Sequence, residues 1–179
     1  HFGNLIARDW QRMTPCHVMI PQRNTPNNWW DDKNRKMAYA TRLTGQAIDV
    51  LSARNQIGVD HKRLYVTGFS GGGFGCYEFM RRFPWKFAAA VPMACYNNEL
   101  DSFSPERAIP QYLFVNEGDP SIAWRWIRWE RNLWKRWDIE WRIHIFEGVA
   151  GHGVWAAAYG DRDFRRWWQS QKLDQVTWQ

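Results

Sequence analysis

The stretch Arg63-Leu-Tyr-Val-Thr-Gly-Phe-Ser-Gly-Gly-Gly73 runs a short apolar segment straight into a glycine-rich turn, and an amphipathic segment follows. Leu64 to Thr67 reads as a strand and Gly72 to Arg82 as a helix. The turn between them, Gly68 to Gly72, has the form G-x-S-x-G. A nucleophile on a tight strand-to-helix turn is strained and its backbone is crowded by neighbours, which flanking glycines relieve. Ser70 is therefore the candidate nucleophile. The Gly71 amide, where the helix begins, is the candidate oxyanion donor, assisted by the helix dipole.

A serine hydroxyl is a weak nucleophile at neutral pH and needs a base, which in turn needs an orienting acid. Five histidines are available. His1 is terminal, His17 falls in a predicted strand, His61 in a polar turn and His144 within the last predicted strand. His152 lies in the glycine-rich stretch Gly148-Val-Ala-Gly-His-Gly-Val-Trp155 after that strand, where a loop can carry the imidazole over the sheet to the serine. It is the candidate base. In the chain order Ser, acid, His, the acid belongs on a loop after an intervening strand. Asn116-Glu-Gly-Asp-Pro120 follows the strand-like run Tyr112 to Val115 and offers Asp119 and Glu117. Asp119, four residues beyond the run, is preferred, Glu117 is the reserve, and Asp101 is a distant third. Each would read as a solvated loop carboxylate if no partner motif stood beside it.

On either side of this segment, short apolar runs alternate with amphipathic stretches, the signature of βα units and a mostly parallel sheet. His17 to Ile20 reads as a strand closed by Pro21, and the polar loop Gln22 to Asn34 carries Trp29 and Trp30. Met37 to Asn55 reads as a helix with an inward stripe of Met37, Ala40, Thr44, Ala47, Ile48 and Leu51, ended by Gly58. Phe87 to Met93 reads as a buried strand. Ile122 to Trp137 reads as a helix whose core stripe is Ile122, Trp126, Trp129, Leu133 and Trp137, with Ile127 and Trp134 beside it and Arg125, Arg128, Arg131 and Lys135 on the opposite arc. Ile139, Trp141, Ile143 and Ile145 alternate with polar residues, as on a sheet edge with one wet face. Asp161 to Gln171 reads as a helix turning Phe164, Trp167 and Trp168 inward. With no linker, 1–179 reads as one domain.

Composition bounds the alternatives. In 179 residues, 45% are hydrophobic and the formal charge is +6. A chain of this length buries roughly 70% of its unfolded surface, so it needs no disulfide framework or structural metal. Disorder, collagen and coiled coil are excluded, and no stretch approaches the roughly 20 apolar residues of a membrane-spanning helix. Cys16, Cys76 and Cys95 are odd in number and lack C-x-x-C spacing, so each is expected to pack as a small buried residue. Arg outnumbers Lys by 18 to 6, and 10 of the 14 Trp lie from Trp124 onward. Those two biases suit base stacking on a cationic groove, but on the Ile122 to Trp137 helix only Trp124 falls among the charges.

The segments Asp60-His-Lys-Arg-Leu-Tyr-Val-Thr-Gly-Phe-Ser-Gly-Gly-Gly73, Arg82-Phe-Pro-Trp-Lys-Phe-Ala-Ala-Ala-Val-Pro92 and Gly151-His-Gly-Val-Trp155, with Trp167, together resemble one family. It is the α/β-hydrolase esterases related to polyhydroxybutyrate depolymerases, feruloyl and acetyl esterases and predicted peptidases. The resemblance runs from about residue 17 to 171. It implies Ser70, Asp119 and His152 as a triad, in agreement with the chemistry, and no metal or organic cofactor. It implies a small-molecule or polymer-linked ester as substrate and weakly favours a secreted or periplasmic protein. Met19-Ile-Pro-Gln22 with Trp29 and Trp30 resembles the strand and loop that help line the family's cleft, and Trp155 is a further substrate-binding candidate.

Two departures shape the expectations. The family's central strand ending in His-Gly supplies a second oxyanion amide, and the sequence begins at His1-Phe-Gly-Asn4, just after the matching region. The expected fold is thus an N-terminally shortened α/β-hydrolase-like sheet, missing a donor worth roughly 3–4 kcal/mol in the transition state. An open central strand position would invite strand exchange between copies, giving a homo-oligomer. Where the family has His-Gly-x-x-Asp, this chain has Val115-Asn-Glu-Gly-Asp119. The leading expectation is a serine ester hydrolase. An inactive or truncated relative of the same fold, and a basic Trp-rich module binding nucleic acid or carbohydrate through Trp124, Trp29, Trp30 and the arginine face, are the alternatives; on the leading reading no nucleic acid is expected.

Overall fold

The computed structural model describes residues 3–22, 29–31, 36–37, 39–54, 57–97, 109–148 and 151–173. The chain falls into two compact units, 2–61 and 62–179. Among the described residues no helix is long and apolar enough to cross a membrane.

In the first unit, α1 (Gly3–Ile6) and α2 (Arg8–Met13) precede a short hairpin of β1 (Trp30–Asp31) and β2 (Lys36–Met37), and α3 (Tyr39–Arg54) follows. The strand expected at His17 to Ile20 does not form: those residues pair with no strand among the described residues. β-branched composition alone does not make a strand, because a strand exists only through a ladder partner. Helix α3 lies within one or two residues of its expected bounds, but its buried side is rotated by one position. Thr41 and Ser52 are buried while Leu51, expected inward, is exposed and Ala40, Thr44, Ala47 and Ile48 are half-buried. The Thr41 hydroxyl donates to the Trp29 carbonyl at 2.6 Å, and that bond makes a polar residue suitable for burial.

The second unit holds a four-stranded parallel sheet in the order β3 (Tyr65–Phe69), β4 (Ala89–Met93), β5 (Gln111–Asn116), β6 (Trp141–Phe146). Among the described residues, α4 (Gly71–Arg82) follows β3, α5 (Trp124–Arg136) follows β5, and α6 (Trp155–Gly160) and α7 (Arg162–Ser170) follow β6. All residues of β4 and β5 are buried, as strands covered on both faces must be, whereas edge strand β6 is half-wet without the expected alternation: Ile145, expected inward, is 43% exposed, while His144 is half-buried and stacks on Phe114 at 5.7 Å. On one face Phe114 meets Phe164 edge-on at 5.4 Å and Tyr112 meets Trp167 at 5.3 Å, so α7 is seated by the inward residues expected of it. The Asp161 carboxylate accepts from the Phe164 amide at 2.8 Å, capping that helix.

On the opposite face the sequence misjudges α5. Ile127, Glu130 and Trp134 are buried, while Trp129 is 40% exposed and stacks on Trp126 at 5.1 Å. The deepest side of the helix is therefore the flank that holds Ile127 and Trp134, one residue round from Trp126, Trp129 and Leu133. Glu130 is the reason: it is fully buried, accepting from the Tyr77 hydroxyl at 3.1 Å and from the Gln111 amide at 3.0 Å. Burial pushes its pKa up to about 7, although those two hydrogen bonds pull it down. A hydropathy pattern counts a glutamate as outward and cannot see its partners. Cys76 and Cys95 are buried as expected, but Cys16 is exposed, its amide donating to the Gln11 side chain at 3.1 Å.

Candidate active site

In a parallel sheet every strand delivers its following loop to the same edge, so the loops after β3, β5 and β6 share one end of the sheet. The loop after β3 is the tightest. Ser70 has φ 52° and ψ −117°, and α4 begins at Gly71 immediately after it. That is a left-handed conformation for a residue with a side chain, and it persists because the surrounding backbone holds it. The Ser70 amide donates to the Met93 carbonyl at 2.8 Å, extending the β3–β4 ladder into the turn, and the Ser70 carbonyl accepts the first helical bond from Phe74 at 3.1 Å. The glycine requirement is uneven. A Cβ at Gly68 would land on the Gly72 carbonyl, whereas a Cβ at Gly72 would meet nothing within 4 Å. Gly73 is the second crowded position, since its Cβ would collide with the Cys95 thiol and lie 2.9 Å from the Met93 carbonyl.

The acid turn follows β5. Asp119 is 3% exposed, and its amide donates back to the Asn116 carbonyl at 3.2 Å. Oδ1 accepts from the Ser121 amide at 2.9 Å and from the Ser121 hydroxyl at 2.6 Å. Oδ2 lies 2.5 Å from His152 Nδ1. Burial by itself would push this carboxyl up, but the bonds from Ser121 and His152 outweigh it and hold the pKa below the ordinary value. The group is an ionised acceptor at neutral pH, so Nδ1 carries a proton and Nε2 is left as the basic nitrogen.

The imidazole has a distance to cover. Two strands separate β3 from β6, placing their ends roughly 14 Å apart at the usual strand spacing. The loop after β6 turns back through Gly148 at φ 72° and Gly151 at φ 56°, conformations that glycine adopts without penalty. Asn116 Nδ2 donates to the Gly151 carbonyl at 2.5 Å, holding the returning loop to the end of β5. The His152 ring then packs on Phe69, the neighbour of Ser70, with centroids 4.9 Å apart, and Trp155 packs on the same Phe69 ring at 4.6 Å. His152 keeps 36% of its side chain exposed, open to a substrate. Among the described residues Ser70 Oγ makes no hydrogen bond. In unliganded sites such bonds commonly close only when substrate binds.

The structure thus brings Asp119 and His152 into contact beside the Ser70 turn and places Gly71 at the start of α4. Glu117, the reserve acid, is exposed, and Asp101 lies outside the described residues. Trp29 is buried within the unit 2–61, and Trp30 forms β1. Ser121 and Asn116 escaped the sequence reading. Ser121 had a signal: an Asp with a Ser two residues on is the signature of a turn closed on the Asp carboxylate. Asn116 had none, since its partner is a backbone carbonyl 35 residues away. Among the described residues no three or more His, Cys, Asp or Glu side chains converge as a metal site would need.

Comparison with solved structures finds a thermostable esterase at TM-score 0.80, with 23% identity, over 94% of this chain and 48% of that one. SOBER1 of Arabidopsis thaliana matches at TM-score 0.57 with 14% identity, over 73% of this chain and 61% of that one. Esterase PE8 matches at TM-score 0.52 with 19% identity, over 76% and 64%. No family model matches the sequence, and no curated protein matches it. The chain has the α/β-hydrolase fold, a mostly parallel sheet flanked by helices, and spans about half the length of the thermostable esterase.

Proposed function

We propose that this chain is a serine ester hydrolase acting through Ser70, His152 and Asp119. The observation that carries the reading is the 2.5 Å contact of Asp119 with His152, delivered by the loops after β5 and β6 to the ring of Phe69 beside the serine. Two loops with no local reason to meet bring a buried carboxylate and a partly exposed imidazole together against the ring of Phe69, the neighbour of a strained serine.

On this reading His152 Nε2 takes the proton from Ser70 Oγ as the oxygen attacks the ester carbonyl carbon. The carbonyl oxygen gains the electron pair and lies toward the Gly71 amide and the positive end of α4. Collapse expels the alcohol, which leaves with the proton from Nε2, and the acyl group stays on Ser70. Water then repeats the sequence: His152 takes its proton, the acyl carbon accepts hydroxide, and the carboxylic acid departs as Oγ recovers a proton. Asp119 holds the imidazole tautomer and stabilises the transient imidazolium. Trp155, half-buried against Phe69, offers an apolar wall for part of the substrate. Within the acids, Asp119 is favoured over Glu117 by its contact with the base.

The test is intact mass after incubation with a fluorophosphonate, on the wild type and on Ser70→Ala. One adduct on the wild type and none on the variant is expected. A folded wild-type protein that takes no adduct would overturn the reading and favour an inactive relative of the same fold.

A further inference from the structure

Ser121 is exposed, lies outside the three residues of the triad, and yet touches two of them. Its Oγ is 2.6 Å from Asp119 Oδ1 and 3.1 Å from His152 Nδ1. The hydroxyl has a single proton, and Asp119, an ionised carboxylate, can only accept, so Ser121 donates to Asp119. It follows that Ser121 Oγ meets the Nδ1 proton as an acceptor. That proton is shared between Asp119 Oδ2 at 2.5 Å and Ser121 Oγ at 3.1 Å. The three groups close a ring in which each member fixes the other two.

We propose that Ser121 is a positioning residue of this site, holding the Asp119 carboxylate plane and the His152 ring together and setting the basicity of the imidazole; the inference rests on the triad reading above. Two effects follow from the geometry. The Ser121 amide bond to Oδ1 at 2.9 Å anchors one carboxylate oxygen, and the hydroxyl adds the second restraint that stops Oδ2 from rotating away from Nδ1. The hydroxyl also withdraws negative charge from the carboxylate. Its donated bond falls on the full charge of the carboxylate, whereas the Nδ1 proton has its main acceptor in Asp119 Oδ2 whether or not the hydroxyl is there, so its net effect is to weaken the pull of Asp119 on the imidazolium. Among the described residues Asp119 is the charged group that ion-pairs with His152, and the aromatic ring of Phe69 covers another side.

The experiment compares wild type, Ser121→Ala and Ser121→Thr in p-nitrophenyl acetate hydrolysis across pH, with fluorophosphonate labelling of each. A hydrogen bond to a charged group has a net worth that corresponds to about tenfold in rate, so Ser121→Ala is expected to lose about tenfold in kcat with KM little changed. Its acid limb of kcat/KM should move to higher pH, because the unshared carboxylate favours the imidazolium. Ser121→Thr restores the hydroxyl and should return both quantities to near the wild-type values. An alanine variant with wild-type kcat and an unmoved acid limb overturns the inference while leaving the triad in place. A threonine variant that fails as badly as alanine overturns it as well. A wild type that neither turns over ester nor takes label overturns the triad and this inference with it.

Discussion

Asn116 Nδ2 donates to the carbonyl of Gly151 at 2.5 Å, tying the last residue of β5 to the residue before His152. The bond spans the distance between the acid turn and the base loop, so it sets the approach of one to the other. Replacing Asn116 with Ala should lower kcat by about 10- to 100-fold, the range that a misplacement of around 1 Å produces, with KM changed much less. Steady-state kinetics on an ester substrate, with circular dichroism to confirm the fold, checks it. Unchanged kcat would show that the loop holds its place without the amide.

The uneven glycine requirement gives a paired prediction. Gly68→Ala puts a methyl on the Gly72 carbonyl, where backbone must move, and should destabilise by about 2 kcal/mol or more. Gly72→Ala places its methyl in open space inside a helix and should be neutral or stabilising by up to about 1 kcal/mol. Urea midpoints of the two variants should move in different directions. Equal losses would contradict the crowding seen at the turn.

Glu130 predicts a pH dependence of stability. Its folded pKa is raised to about 7 from an ordinary 4.5, chiefly by burial. A raised folded value means that the folded state holds the proton more tightly than the unfolded chain. The contribution is thus complete below about pH 4.5, declines as pH rises, and is exhausted above about pH 7. Glu130→Gln keeps the shape and can still accept from Tyr77, and it should flatten this decline. Chemical denaturation at intervals from about pH 5 to about pH 8 checks it. A variant that keeps the wild-type slope would assign the dependence to other groups.

Asp161 joins two elements. It caps α7 at the Phe164 amide and lies 3.3 Å from His144 Nδ1 on β6. Asp161→Ala should cost about 1 kcal/mol through the lost cap. Asp161→Asn retains an oxygen acceptor for the cap and should cost less, with thermal melts ranking the three proteins. An asparagine variant as unstable as alanine would shift the weight from the cap to the histidine pair.

How much of this was legible beforehand differs from element to element. Apart from α6, which the pattern does not single out, the strands and helices of the second unit lie where periodicity places them, usually to within two residues, because their buried faces are built largely from apolar side chains that announce themselves in the pattern. The strand expected at His17 to Ile20 failed because its ladder partner is not a property of its own residues. Helix α5 lies within two residues of its expected span with Ile127 and Trp134 inside, but Trp129 is outside and Glu130 enters the core on bonds from Tyr77 and Gln111 that lie 53 and 19 residues away. Cys16 was expected to be buried and is exposed, because a small residue packs wherever the fold happens to take it.

The serine turn is written in local sequence, because strand, glycine and helix must be contiguous to make it, and everything it requires lies within a dozen residues. The alternation that builds a parallel sheet is local too, and so is the order in which acid and base arrive. Three outcomes belong to the folded chain instead: that Asp119 rather than Glu117 meets His152, that the Ser121 hydroxyl and the Asn116 amide reach the base loop, and that Glu130 enters the core beside α5's apolar residues. Those outcomes depend on atoms brought together across 30 to 50 residues of chain. Local pattern carries no record of such meetings; only the closing of the sheet, with hydrogen bonds that satisfy each buried polar group, brings them about.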